Sequence, residues 1–129
     1  METFFDPSKH PKIKLTVSGN RKTGILEALV DTGFDGYLSL PINVAILLGL
    51  ELIGVEPVQY ADGRTSQELV FSVKVNFDGK EKIVVTTLTA GSVALAGTSL
   101  FSEHELKFNF PRQKITLKKV LASSPELAA

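Results

Sequence analysis

The sequence predicts a mostly β single domain of barrel or folded-sheet type, carrying one or two short helices. Two patterns and a size argument predict it. Apolar residues alternate with polar ones along much of the chain: Ile13, Leu15 and Val17 fall on one face of residues 12–18, and Lys12, Lys14 and Thr16 on the other. Short turn clusters separate these runs, among them Gly19-Asn20, Asp62-Gly63 and Asp78-Gly79. At 129 residues, 43% hydrophobic and 22% charged, the chain can fill one core and is too apolar for disorder.

The N-terminal METFFD is a candidate strand. KIKLTVS (12–18) is a half-buried strand, SGNRKTG turns the chain, and ILEALV (25–30) carries it up to Asp31. YLSL (37–40) is a short strand. Pro41 then suits the first turn of a helix over 41–49, with Gly49 as its stop. EPVQY (56–60) and TSQELVFSVKVNF (65–77) are strands on either side of ADGRT. In the second, Leu69, Phe71, Val73, Val75 and Phe77 are expected to share a face. KEKIVVTTL (80–88) follows the Asp78-Gly79 turn, and VAL (93–95) enters Gly97. TSLFSEHEL (98–106) reads as a second short helix with Thr98 or Ser99 at its N-cap. LKFNF and KITLKKV form a last hairpin around Pro111-Arg112-Gln113, with Phe108 and Phe110 expected in the core. The domain is expected to span 1–121, followed by a frayed tail over 122–129.

Composition narrows the chemistry. Lys+Arg and Asp+Glu both number 14, and this balance argues against a dedicated nucleic-acid binder. Cysteine is absent, which removes disulfides, thiolate zinc sites and a cysteine nucleophile. His10 and His104 lie far apart without ligand spacing, so no metal and no cofactor are expected; His104 reads as a surface residue near a helix end. The acidic early N-terminus has no apolar h-region, and no apolar run reaches the length of a membrane span. The expectation is a soluble cytoplasmic protein, of cellular rather than viral origin given the Met at position 1.

The segment ALVDTGFDGYLSLP (28–41) carries the remaining chemistry. Asp31 ends an apolar strand, where a carboxylate is partly stripped of water. Thr32 offers a hydroxyl to hold the loop. Gly33 permits a backbone path that other residues resist and a close approach of substrate main chain. No histidine lies near a candidate serine nucleophile, so triad chemistry has no obvious base. One aspartate activates water poorly. Two that share a proton do it well, because like charges ~3 Å apart cannot both ionise. The chain holds one Asp-Thr-Gly, so the second would come from a second copy across a two-fold axis. The bland reading is a turn aspartate in an Asx-turn with Gly33.

LVDTGFDGYLSLP resembles the active-site segment of the retropepsin-like aspartic proteases, the retroviral-type family that works as a homodimer. YADGRTSQ (60–67) lies where that family carries its flap hairpin. VALAGTSLF (93–101) resembles its second hallmark, a hydrophobic pair and a glycine, here Leu95-Ala96-Gly97. The tripeptide alone occurs by chance in roughly one chain of this size in a hundred; three elements in order are far more specific. The resemblance covers roughly residues 12–120. It implies a half-barrel with a flap hairpin and direct peptide-bond hydrolysis by water held between two Asp31 carboxylates, with no cofactor. Thr32 would bond across the dimer axis and Gly33 would present its carbonyl to substrate. Asp35 would contact the substrate backbone. Tyr60, Ala61, Asp62 and Gly63 would close over the peptide, and Phe34, Tyr60 and Leu95 would line its pockets.

The chain departs from that pattern. Thr98 stands where retroviral members carry an arginine that pairs with the acidic position matched by Asp35. Ala96 is small for the hydrophobic pair. METFFD could supply an intersubunit strand, whereas SSPELAA is a poor one, so dimer contacts are expected through elements such as KITLKKVL. Asp35-Gly36 reads equally as a type I′ turn. The alternative to a protease is a catalytically silent dimerisation or peptide-binding module of the same fold.

Overall fold

The alternation along the chain becomes ten strands and one helix in the computed structural model, which describes residues 2–120. In chain order these are β1 (Glu2–Phe5), β2 (Pro11–Ser18), β3 (Thr23–Val30), β4 (Leu38–Pro41), α1 (Ile42–Leu48) and β5 (Glu51–Gln59). There follow β6 (Thr65–Phe77), β7 (Lys80–Thr89), β8 (Ala94–Ala96), β9 (His104–Asn109) and β10 (Lys114–Lys119). Six strands close a barrel. β2 pairs antiparallel with β3, β3 parallel with β8, and β8 antiparallel with β4. β4 pairs parallel with β7, β7 antiparallel with β6, and β6 returns to β2 through Asn76–Lys74 against Thr16–Ser18. Closure pairs both sides of these six strands and leaves β1 and β5 as the edges of the sheet. β5 extends the sheet beyond β6 as a long hairpin, β1 extends it beyond β2, and β9 and β10 form a separate pair.

The barrel is filled by the faces that alternation selected. Ile13, Leu15 and Val17 of β2 meet Val73, Val75 and Phe77 of β6, joined by Leu38, Leu40 and Leu100. Each such side chain contributes about 1.5–3 kcal/mol when fully buried. Thr86 is a polar member of the interior, and its Oγ1 donates to the Leu38 carbonyl at 3.0 Å, across the parallel β4–β7 ladder. α1 buries Ala45 and Leu48 and stops at Gly49, whose left-handed backbone (φ 72°) lets its amide reach back to the Ala45 and Ile46 carbonyls. The β2–β3 turn finishes the cap: the amides of Asn20 and Arg21 donate to the carbonyls of Gly49 and Leu48, each at 2.9 Å.

Several expectations are corrected. Residues 98–103 are not an α-helix but successive tight turns. The amides of Leu100, Phe101, Ser102 and His104 each reach the carbonyl three residues back, and the chain is already a strand at His104. Leu69 does not share the buried face of Val73, Val75 and Phe77; it is exposed while Val70 is buried. The buried face changes between Val70 and Val73 because the first half of β6 belongs to the hairpin with β5 and the second half to the barrel. β5 begins at Glu51, five residues before the expected Glu56. Phe108 is half-buried as a flank of the core, but Phe110 is 64% exposed, resting edge-on against Phe5 and stacked on Phe108. β1 pairs within the chain, Glu2 to Phe5 against Lys14 to Pro11, and Thr3 Oγ1 donates to the Ile115 carbonyl. The tail 122–129 lies outside the described residues.

Candidate active site

β3 delivers Asp31 from between two neighbours, β2 and β8. Val30 is buried opposite Ala96, and the Asp31 amide makes the last rung by donating to the Ala96 carbonyl at 3.0 Å. Beyond that rung the chain leaves the sheet and turns. The Gly33 amide donates to Asp31 Oδ1 at 2.9 Å, and the Phe34 amide donates to the Asp31 carbonyl at 3.2 Å. This is the Asx-turn geometry open to an aspartate at a strand end. It leaves Asp31 half-buried and Thr32 and Gly33 exposed. Gly33 does not use the left-handed backbone region; a Cβ there would lie 3.3 Å from Asp31 Oδ1, so its smallness serves the tight turn. Asp35 and Gly36 also lack positive φ, which rules out the type I′ turn.

The turn following β8 holds this loop from behind. The amides of Gly97, Thr98 and Ser99 donate to the carbonyls of Tyr37, Phe34 and Gly36 at 3.0, 2.9 and 3.2 Å, and the Ser99 hydroxyl donates to the Asp35 carbonyl. The approach is close enough that a Cβ on Gly97 would fall 2.1 Å from the Gly36 carbonyl oxygen. Main-chain amides and the Ser99 hydroxyl therefore hold the loop. Thr98 is exposed, its Oγ1 3.4 Å from the Phe34 carbonyl, and Asp35 is exposed and takes part in none of the ion pairs among the described residues.

A cleft of about 350 Å³ opens beside the loop, between residues 34–39, the β5–β6 hairpin and β7. Phe34 and Asp35 line it from the loop, Leu38 and Ser39 from β4, and Val58 and Val70 from the hairpin. Glu56 and Glu68, which the sequence reading did not single out, line it too. They are directly opposed across β5 and β6. The hairpin register would have exposed them: once residues 60–64 are the turn, position 56 must face position 68. At the tip, the Tyr60 amide donates to the Arg64 carbonyl at 2.8 Å, and Gly63 takes φ 87°. Asp62 accepts from the Arg64 amide and from its Nε, and Ala61 is exposed. The Tyr60 hydroxyl donates to Glu68 Oε1 at 3.0 Å. Leu95 is half-buried in β8, between Leu29 and Ser39, and does not line the cleft.

A second cavity, about 210 Å³, adjoins Asp31 and Thr32 on the side of Thr98, Phe101 and His104. His104 is not a surface residue at a helix end. Its side chain is 4% exposed, Nε2 pairs with Asp78 Oδ2 at 3.1 Å, and the ring stands edge-on to Phe77. Nδ1 is buried and unpartnered among the described residues. Also among the described residues, no three His, Asp or Glu side chains gather as a metal site, and no helix is long and apolar enough to cross a membrane.

No family model and no curated protein sequence matches the chain. Solved structures do. One is the EIAV protease complexed with the inhibitor HBY-793, at 15% identity and a TM-score of 0.55, over 76% of this chain and 90% of that one. At that identity the likeness is one of architecture, and it gives this chain a retropepsin-like fold.

Proposed function

We propose that the chain is a homodimeric aspartic endopeptidase, with Asp31 of each copy holding one water between two carboxylates over a peptide groove. The observation that carries the reading is the placement of the Asp31-Thr32-Gly33 turn. It projects from the end of β3 with Asp31 half-buried and Thr32 exposed, and main-chain bonds from residues 97–99 fix the loop it opens. Fixed carboxylates next to a cleft are what proton-sharing hydrolysis requires. In a singly protonated pair, one carboxylate takes a proton from water as it attacks the peptide carbonyl. The other donates to the carbonyl oxygen, and the proton passes on to the leaving amine. The β5–β6 hairpin is placed to act as a flap that excludes water once a peptide lies in the cleft. Asp35, exposed beside the cleft, is free to take a substrate main-chain amide.

The bond from Gly33 to Asp31 Oδ1 is also what a purely structural aspartate makes. It supports a second reading, in which the same dimeric fold grips a peptide without cutting it. Cleavage of an unfolded protein at roughly pH 4–6, the range in which such a pair stays singly protonated, separates the two. The expected result is cleavage by the wild type, none by Asp31→Asn, and an unchanged dimer by sedimentation. A wild-type dimer that is inert across that range sinks the enzyme reading, and a monomer without activity sinks the paired-carboxylate mechanism.

A further inference from the structure

The cleft beside the Asp31 loop has an apolar floor and an acidic rim. Leu38, Val58, Val70 and Leu88 supply apolar wall, and Asp35, Glu56 and Glu68 supply three carboxylates. No lysine, arginine or histidine lines it. Glu56 and Glu68 are directly opposed in an antiparallel pair, an arrangement that costs stability when both are charged. The ion pairs among the described residues engage none of the three carboxylates. Only the Tyr60 hydroxyl, a neutral donor, answers Glu68. The whole chain is formally neutral, so this negative field is local, and low-dielectric walls focus it.

We infer that the cleft selects the side chain of a lysine or arginine in an extended peptide. This specificity rests on the groove proposed above. The shape and the charge point to the same occupant. A long aliphatic stem covers the apolar floor while its cationic head remains at the rim, the way such side chains divide themselves between apolar surface and water. Arginine, with a planar fork of donors, can bridge the opposed Glu56 and Glu68; lysine meets them as a point charge. A cation there also relieves the repulsion between the two glutamates. Acidic peptide side chains are repelled by the same three groups.

The test uses the full chain carrying Asp31→Asn, so that binding is read without cleavage. Fluorescent extended peptides that differ at one position (lysine, arginine, norleucine or glutamate) are titrated at pH 6 and followed by anisotropy. Lysine and arginine are expected to bind roughly tenfold tighter than norleucine, the scale of a hydrogen bond to a charged group, with glutamate weakest. Glu56→Gln with Glu68→Gln should erase the difference, while circular dichroism shows the variant folded. Equal binding of lysine and norleucine overturns the proposal, as does a lysine preference that survives the double substitution or the absence of any peptide binding. The wild type on a peptide library separates this from the enzymatic reading. Cleavage with no basic preference overturns the specificity alone. Basic-selective binding with no cleavage supports the specificity and overturns the endopeptidase.

Discussion

Gly97→Ala should be among the most damaging single-methyl changes in this protein. The added Cβ would meet the Gly36 carbonyl oxygen at 2.1 Å, the Phe34 carbonyl oxygen at 2.7 Å and Phe34 Cδ2 at 2.7 Å. Two of these are main-chain atoms and cannot swing away, so residues 34–36 or 97–99 must move. Overpacking of this kind costs typically about 1–3 kcal/mol. The three amides that hold the Asp31 loop are in the path, and each bond lost adds about 0.5–1.5 kcal/mol. Together the loss should be about 3 kcal/mol, a fall in Tm of roughly 10 °C for a domain of this size. Thermal melts followed by circular dichroism measure it. Gly24→Ala is the control: its Cβ would meet nothing closer than Leu48 Cδ2 at 3.9 Å, so no loss is expected. Peptide cleavage by Gly97→Ala, measured well below its Tm, should fall further than the folded fraction, because the loop carrying Asp31 is displaced. A Gly97→Ala melt within about 2 °C of wild type would refute the argument that this approach holds the site.

Three further outcomes are expected. Asp6 sits below its ordinary value of 3.8, first because the His10 amide bonds its carboxylate, and then because Lys12 lies 3.2 Å away. The stability this contributes is fully present above the unfolded value, near pH 4, and is lost as pH falls through the lowered folded value. Tm measured downward from pH 5 should therefore drop more steeply in wild type than in Asp6→Asn; parallel curves would contradict the assignment. Gln113→Gly should stabilise by about 1 kcal/mol, because Gln113 holds φ 51° in the β9–β10 turn, a conformation that costs a side-chain-bearing residue. A urea midpoint that does not rise counts against it. Asp31→Asn should leave Tm close to wild type, because an amide oxygen can still accept from Gly33, while cleavage disappears. A large fall in Tm would make Asp31 structural first.

Where one physical signal dominated, the fold was legible in the sequence. β2 and β7 run almost as alternation and turn chemistry drew them. Asp78-Gly79 turns as such a pair should, with φ of 53° and 77°. α1 ends at Gly49 for the expected reason. The failures lie where two structures share one stretch of chain. Residues 98–106 carry helix-start residues followed by an alternating run, and alternation wins from His104 onward. That same change buries His104 against Phe77, which no local pattern announces. β6 reads as one amphipathic strand but serves two layers, so its face changes partway. The Asp31 loop was legible as a turn, yet what holds it comes from residues 97–99, more than sixty positions later, and such pairing cannot be read from spacing. Glu56 and Glu68 became visible as a pair only once the hairpin register was known.

The two-layer use of β6 makes the hairpin a cantilever. From Val70, where the strand is anchored, to Arg64 at the tip is six residues, an arm of about 20 Å. The register of β5 slips between Leu52 and Gly54, alongside that anchorage, so the bend of the hairpin is set at the height where it leaves the barrel. A rocking of about 10° there carries the tip through about 3.5 Å while the barrel stays still. On the proposed function, admission of an extended peptide to the cleft would need only a small deflection at that single place, and stiffening it should slow binding and release alike.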